Sequence, residues 1–194
     1  DVFNQILVAN GDDSGLPEGK FFPDTYHYRA GSTDQALLNK SYLKMKLELE
    51  KAWQGRQQGL PLKSAYELLI LASIIEKETG KASERPWIAA VFVNRLRKGM
   101  RLQTDPTVIY GMGDRYAGNI TRKDLRETTA FNTYRINGLL PTPIAAPSLA
   151  AIQAAAHPAD VDYFYFVSRN DGSHIFSKTL TEHNRAVNKY QRNR

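Results

Sequence analysis

The sequence predicts an α+β fold, helix-rich with one small antiparallel β element. Three observations predict it. Apolar residues recur at helical spacing in several segments, each opened by a capping residue or stopped by glycine. One segment near the C-terminus reads instead as a two-stranded hairpin. Gly- and Pro-rich loops separate these elements, and no repeat or low-complexity tract interrupts them.

Residues 1–31 are expected to be irregular, with room for short strands. Gly11 to Gly19 is rich in Gly, Asp and Pro and reads as a loop. Phe21, Phe22, Tyr26 and Tyr28 crowd around Pro23, either packing under that loop or lining a sugar groove. A helix is predicted over 33–54, with Ser32 and Gln35 as a capping box and Leu38, Tyr42, Met45, Leu49 and Ala52 on its apolar face. The next runs from about Pro61 to Thr79, with Ser64 and Glu67 at its start and Gly80 at its end. Leu68 to Ile75 is apolar almost all round, which predicts a central, buried helix. A third covers about Glu84 to Lys98 and closes at Gly99. Residues 100–146 read as short pieces broken by Gly and Pro, the kind of long loop region that carries a site. An Ala-rich helix spans about Ser148 to Ala156. Tyr163–Val167 and His174–Phe176 form the hairpin around Asn170, Asp171 and Gly172. Thr179 and Glu182 cap a last helix that runs to the C-terminus.

The chain has 194 residues, 42% hydrophobic and 24% charged, enough for one cored domain, or for a domain with a small appended lobe. It has no cysteine, which excludes thiol nucleophiles, disulfides and cysteine-held metals. The net charge of +6 favours anionic partners. The densest basic cluster, Arg95, Arg97, Lys98 and Arg101, is short, and no basic tail or aromatic RNA-binding signature accompanies it, so nucleic acid is not expected. No apolar run is long enough to cross a bilayer, and no signal peptide opens the chain. Phosphate-binding glycine loops and the G-x-S-x-G elbow are absent. His27, His157, His174 and His183 lack metal-site spacing and are read as structural or surface residues, with His157 as a helix C-terminal cap.

Glu76-Lys77-Glu78-Thr79 ends the buried helix. At about 100° per residue, Glu78 falls on the stripe of Leu71, Ile74 and Ile75, and Glu76 points toward Ala72 and Ser73. A carboxyl on the most apolar stripe is desolvated, which raises its pKa, as a general acid requires. The other reading is a charged helix end that reaches water. Arg101 to Thr107 is a second cluster, in which Gln103, Thr104 and Asp105 can hydrogen-bond a polyhydroxylated ligand, or Asp105 can cap a helix starting at Pro106. Asn132-Thr133-Tyr134 is a third, equally at home in a sugar site and in an ordinary turn.

The stretch from Leu71 through Glu78-Thr79 resembles the signature of the endolytic murein transglycosylases, the YceG-like (MltG) family. Phe92-Val93-Asn94-Arg95-Leu96, Arg101 through Gly111, Phe22 to Tyr26, Phe131 to Tyr134, Ala155 to Pro158, Tyr165-Phe166-Val167 and His183-Asn184 match in order, over nearly the whole chain. The resemblance implies a helix-rich, lysozyme-like catalytic domain over 32–194. Residues 1–31 are then a connecting segment, the remnant of a preceding lobe plus an aromatic loop. It implies cleavage between N-acetylmuramic acid and N-acetylglucosamine, leaving a 1,6-anhydromuramyl end, with Glu78 as acid and then base. Gln103, Thr104, Asp105, Tyr110, Asn132 and Tyr134 are the implied substrate-binding residues, and Asn94 and Arg95 are expected to pack beneath the site. No metal or organic cofactor is implied. The implied partners are peptidoglycan strands and peptidoglycan synthases, and the implied setting is a single-pass anchor in the bacterial inner membrane with the catalytic part in the periplasm. A non-catalytic peptidoglycan-binding module and a hydrolytic muramidase stay open. The latter needs a second carboxylate, for which Asp105 is the candidate.

Overall fold

The computed structural model describes residues 1–192. Seven α-helices and one hairpin are found there, so the architecture is α+β as the sequence predicts. In chain order they are α1 (Val2–Ala9), α2 (Asp34–Gln54), α3 (Ala65–Glu78), α4 (Arg85–Arg97), α5 (Asp105–Met112), α6 (Leu149–Ala156), β1 (Tyr165–Ser168), β2 (His174–Ser177) and α7 (Leu180–Val187), which continues as a short π-helical stretch to Arg192.

The core is built around α3. Every residue from Leu68 to Ile75 is buried, so this helix must be covered on all sides. Helices α2, α4 and α6 supply the cover through Met45, Ala52, Ile88, Phe92 and Ile152. The small residues of α6, Ala151, Ala154 and Ala155, let its backbone lie close along α3. The hairpin docks on α4, where Phe92 and Phe166 meet edge to face at 5.9 Å. Its register pairs Tyr165 with Ser177 and Ser168 with His174. Asn170 and Gly172 take φ of 64° and 81° in the turn, the left-handed region those residues tolerate.

Three expectations need correction. Residues 2–9 are helical, not irregular. Asp1 accepts from the Phe3 amide to start the helix, and Ile6 and Leu7 bury against Tyr42 of α2. The cap of α2 is Thr33, whose hydroxyl accepts from the Ala36 amide, while the Ser32 hydroxyl accepts from Arg29 one turn earlier. Asp105 does not cap α5. Thr104 holds the cap position, and Asp105 is the first helical residue, ahead of Pro106. The predicted box at Thr179 and Glu182 is formed in full.

Candidate active site

Helix α3 delivers two carboxyls in opposite directions. Glu76 accepts from the amide and hydroxyl of Ser148, at 3.0 and 2.6 Å, and so anchors the start of α6. Glu78, the last residue of α3, opens into a cleft of about 340 Å³. That volume lies within the range of small-ligand sites. The chain must leave α3 abruptly there, and buried Thr79 does this in an extended conformation, its hydroxyl accepting from the Lys81 amide.

The opposite wall begins at the end of α4. Gly99, at φ 65°, donates to the Leu96 carbonyl, and Met100 donates to Arg95 at 2.9 Å, a pair of bonds that closes the helix and turns the chain back. Leu102 then buries, and Gln103 takes φ 53°, a strained choice for a non-glycine residue. Its amide is held by the Thr133 carbonyl. The strain turns Thr104 inward, where its hydroxyl donates to the Glu78 carboxylate. Two further threonines fix Thr104. The Thr133 hydroxyl accepts from its amide at 3.0 Å, and the Thr107 hydroxyl donates to its carbonyl at 2.7 Å.

Arg95 ties the walls together. Its Nε donates to the Phe164 carbonyl ahead of β1, and its Nη1 donates to the carbonyls of Arg101 and Leu102 and to Gln103 Oε1. Asn94, one residue earlier, donates to the Val161 and Tyr163 carbonyls. Tyr165 and Phe166 of β1 and Leu180 and His183 of α7 complete the lining. His183 stacks on Tyr165 at 5.2 Å, and burial lowers its pKa, assisted by the Arg95 charge.

Burial dominates the electrostatics of Glu78 and pushes its pKa up to about 7. The Thr104 hydroxyl opposes that rise, Asp105 reinforces it, and His174 and Arg95 oppose it at longer range. The Tyr134 hydroxyl donates to Asp105 Oδ1 at 2.6 Å, and its pKa is raised by burial, by that bond and by the Asp105 charge. The site thus offers one carboxyl that is partly protonated near neutrality, facing a polar wall of amide, hydroxyl and phenol.

The structure brings Gln103, Thr104, Asp105 and Tyr134 to the same cleft as Glu78. It does not bring Tyr110 or Asn132 there. Tyr110 packs on Phe131 and donates to Glu18 at 3.4 Å. Asn132 is 1% exposed, its amide donating to the carbonyls of Asp124, Leu125 and Glu127 and its oxygen accepting from the Tyr134 amide. That network shapes the Thr133–Tyr134 turn and leaves no group for a ligand. The sequence reading missed Arg95, Leu102, Tyr165, Phe166, Leu180 and His183 as cleft residues. The first sat on the buried side of a helix, which reads as packing, and the last four lie far from Glu78 in the chain.

The chain has relatives among known proteins. The model of the YceG-like family matches residues 3–189. The chain is 39% identical over 173 residues to an endolytic murein transglycosylase of Bacillus subtilis (strain 168), covering 89% of this chain and 48% of that protein. It is 31% identical over 177 residues to the endolytic murein transglycosylase of Streptococcus pneumoniae serotype 2 (strain D39 / NCTC 7466), covering 88% and 31%. The chain therefore spans about half, or less, of the length of these relatives. A crystal structure described as that of a yceG-like protein from Listeria monocytogenes superimposes with a TM-score of 0.80 at 33% identity, over 95% of this chain and 63% of that one. A family match over almost every residue, with sequence and backbone in agreement, means that this chain belongs to the YceG-like family.

Proposed function

We propose that this chain is the catalytic part of an endolytic murein transglycosylase. It cleaves the β-1,4 bond between N-acetylmuramic acid and N-acetylglucosamine within glycan strands and leaves a 1,6-anhydromuramyl end. The observation that carries this reading is the Glu78 carboxyl, half-buried at the end of α3, its pKa raised to about 7, and open to a polar cleft. The names of the relatives, endolytic murein transglycosylases, support the same chemistry.

In this mechanism, protonated Glu78 donates its proton to the glycosidic oxygen as the bond to the anomeric carbon breaks. The N-acetylglucosamine side leaves as an alcohol, and the muramyl ring passes through an oxocarbenium-like state. Glu78, now a carboxylate, accepts the proton of the C6 hydroxyl, whose oxygen bonds to the anomeric carbon. No water is consumed, and Glu78 ends protonated again. Thr104 orients the carboxyl, and its donated bond stabilises the charged form between the two steps. Gln103, Asp105 and Tyr134 present hydrogen-bonding groups to the sugars.

A hydrolytic reading has one observation in its favour: Asp105 lines the same cleft and carries a carboxylate. Against it, one Asp105 oxygen is already engaged by the Tyr134 hydroxyl. Incubation with nascent glycan strands and mass analysis of the product ends separates the two. Anhydro ends support the transglycosylase, and reducing ends move the assignment to a hydrolase with Asp105 activating water.

The rest of the family reading belongs to the same proposal: a lysozyme-like relationship for the helix-borne acid, action beside peptidoglycan synthases, and a periplasmic catalytic part anchored in the inner membrane. Among the described residues no helix is long and apolar enough to cross a membrane.

A further inference from the structure

Arg95 carries a charge that no ion pair among the described residues neutralises; Glu78 of the same cleft bears on it without a salt bridge. The residue is 7% exposed, yet none of the ion pairs among the described residues includes it. Its Nε and Nη1 are fixed by three neutral carbonyls and the Gln103 amide oxygen. Its other terminal nitrogen, Nη2, donates to no described residue. The Tyr165 ring lies 5.1 Å away and shields the cation without neutralising it. Removing a guanidinium from water without a counter-charge is unfavourable. Four hydrogen bonds hold the plane rigid, so Nη2 meets a ligand with its orientation already set. The same bond that uses Gln103 Oε1 leaves the Gln103 amide nitrogen without a partner, at a position that also lines the cleft.

We propose that Arg95 is the carboxylate-binding residue of the cleft, with Nη2 receiving a carboxylate oxygen attached to the muramyl sugar. The inference rests on the glycan-strand reading above and deepens it. The two alternating sugars of the strand differ only in the lactyl group on one of them. A buried guanidinium in the same cleft as Glu78 distinguishes them by charge and so sets which of the two glycosidic bonds faces the acid. The carboxylate has two chemical sources, the free lactyl group of a peptide-free strand and the stem peptide of a substituted one.

The test is a binding titration on the Glu78→Gln variant, which holds ligand without consuming it. Four tetrasaccharides are compared by calorimetry: a peptide-free muramyl strand, the same strand with stem peptides, the peptide-free strand with its lactyl carboxylates converted to amides, and chitotetraose. At least one carboxylate-bearing ligand is expected to bind roughly tenfold or more tightly than chitotetraose. Preference for the peptide-free strand, lost on amidation, assigns the lactyl carboxylate, and preference for the substituted strand alone assigns the stem peptide. Arg95→Gln and Arg95→Lys, each added to the same background, are expected to erase the preference, read within each variant as the ratio of muramyl-ligand to chitotetraose affinity. Circular dichroism verifies that each variant is folded, and the amidated ligand reads the lactyl arm without any change to the arginine. Equal affinity for all four ligands, or a preference that survives in folded Arg95→Gln, overturns the proposal. Strand cleavage by the parent chain is scored separately. Cleavage without preference removes the Arg95 subsite alone, and absence of both binding and cleavage removes the glycan reading with it.

Discussion

The Thr104 hydroxyl donates to the Glu78 carboxylate across the floor of the cleft, joining the loop after α4 to the last residue of α3. That bond favours the charged form of Glu78 and restrains a pKa that burial drives upward. Thr104→Val keeps the shape of the side chain and removes the donor. The alkaline limb of the pH–rate profile is expected to move to higher pH. Because a bond to the charged intermediate is lost, kcat/KM is expected to fall by roughly tenfold, ~1.4 kcal/mol. Steady-state cleavage from pH 5 to 9 measures both, and a purely structural role for Thr104 leaves the limb where it was.

The parent profile follows from the same group. In the proposed mechanism Glu78 acts first as an acid, so the active free enzyme is its protonated form. With the pKa at about 7, kcat/KM is expected to decline above that pH, approaching tenfold per pH unit. A limb near the ordinary carboxylate value would mean that substrate-free Glu78 is solvated.

Stability carries the matching signature. The folded pKa of Glu78 is raised from 4.5 to about 7, so the folded state binds its proton more tightly than the unfolded chain does. The stability from this group is therefore fully present below pH 4.5 and is lost as pH rises through about 7. Glu78→Gln removes the titration. At pH 8 the variant is expected to be more stable than the parent, by on the order of 2–3 kcal/mol, and the advantage is expected to shrink toward pH 4. Urea unfolding at the two pH values measures it.

Asn132 predicts a loss of a different kind. Its side chain satisfies three carbonyls and one amide in a buried turn. Asn132→Ala is expected to destabilise the chain by about 2–4 kcal/mol, by leaving buried backbone groups unpaired. In whatever fraction remains folded, KM for glycan is expected to change little. A large KM effect with unchanged stability would return Asn132 to the sugar site.

Leu7 of α1, fully buried against α2, tests the N-terminal helix. Leu7→Ala is expected to cost about 2–4 kcal/mol in urea unfolding, as for other core leucines. An unaffected midpoint would mean that this segment contributes nothing to the fold.

Glu76 and Glu78 mark what could be read from the sequence. They are two residues apart on one helix, so geometry alone separates them by about 200°, and the structure gives one to Ser148 and the other to the cleft. The helices α2, α3, α4 and α6 and the hairpin were legible for the same reason: periodicity, caps and stops are local. Helix α1 was not, because eight residues carry little periodicity and its burial depends on Tyr42, more than thirty residues on. Arg95 and Asn132 illustrate the other limit. Each is defined by backbone carbonyls it meets only after folding, and a carbonyl has no letter in the sequence. Arg95 Nε reaches Phe164 across 69 residues, so its place at the cleft could not be inferred from spacing.

The central claim is that Glu78 performs the bond cleavage. The most direct test is single-turnover cleavage of nascent glycan strands by the parent and by Glu78→Gln, with product ends identified by mass. The parent is expected to generate anhydromuramyl ends. The variant, folded and still binding strand, is expected to generate none above background. Cleavage at parental rate by folded Glu78→Gln would contradict the assignment and move the acid to another group of the cleft, with Asp105 first in line.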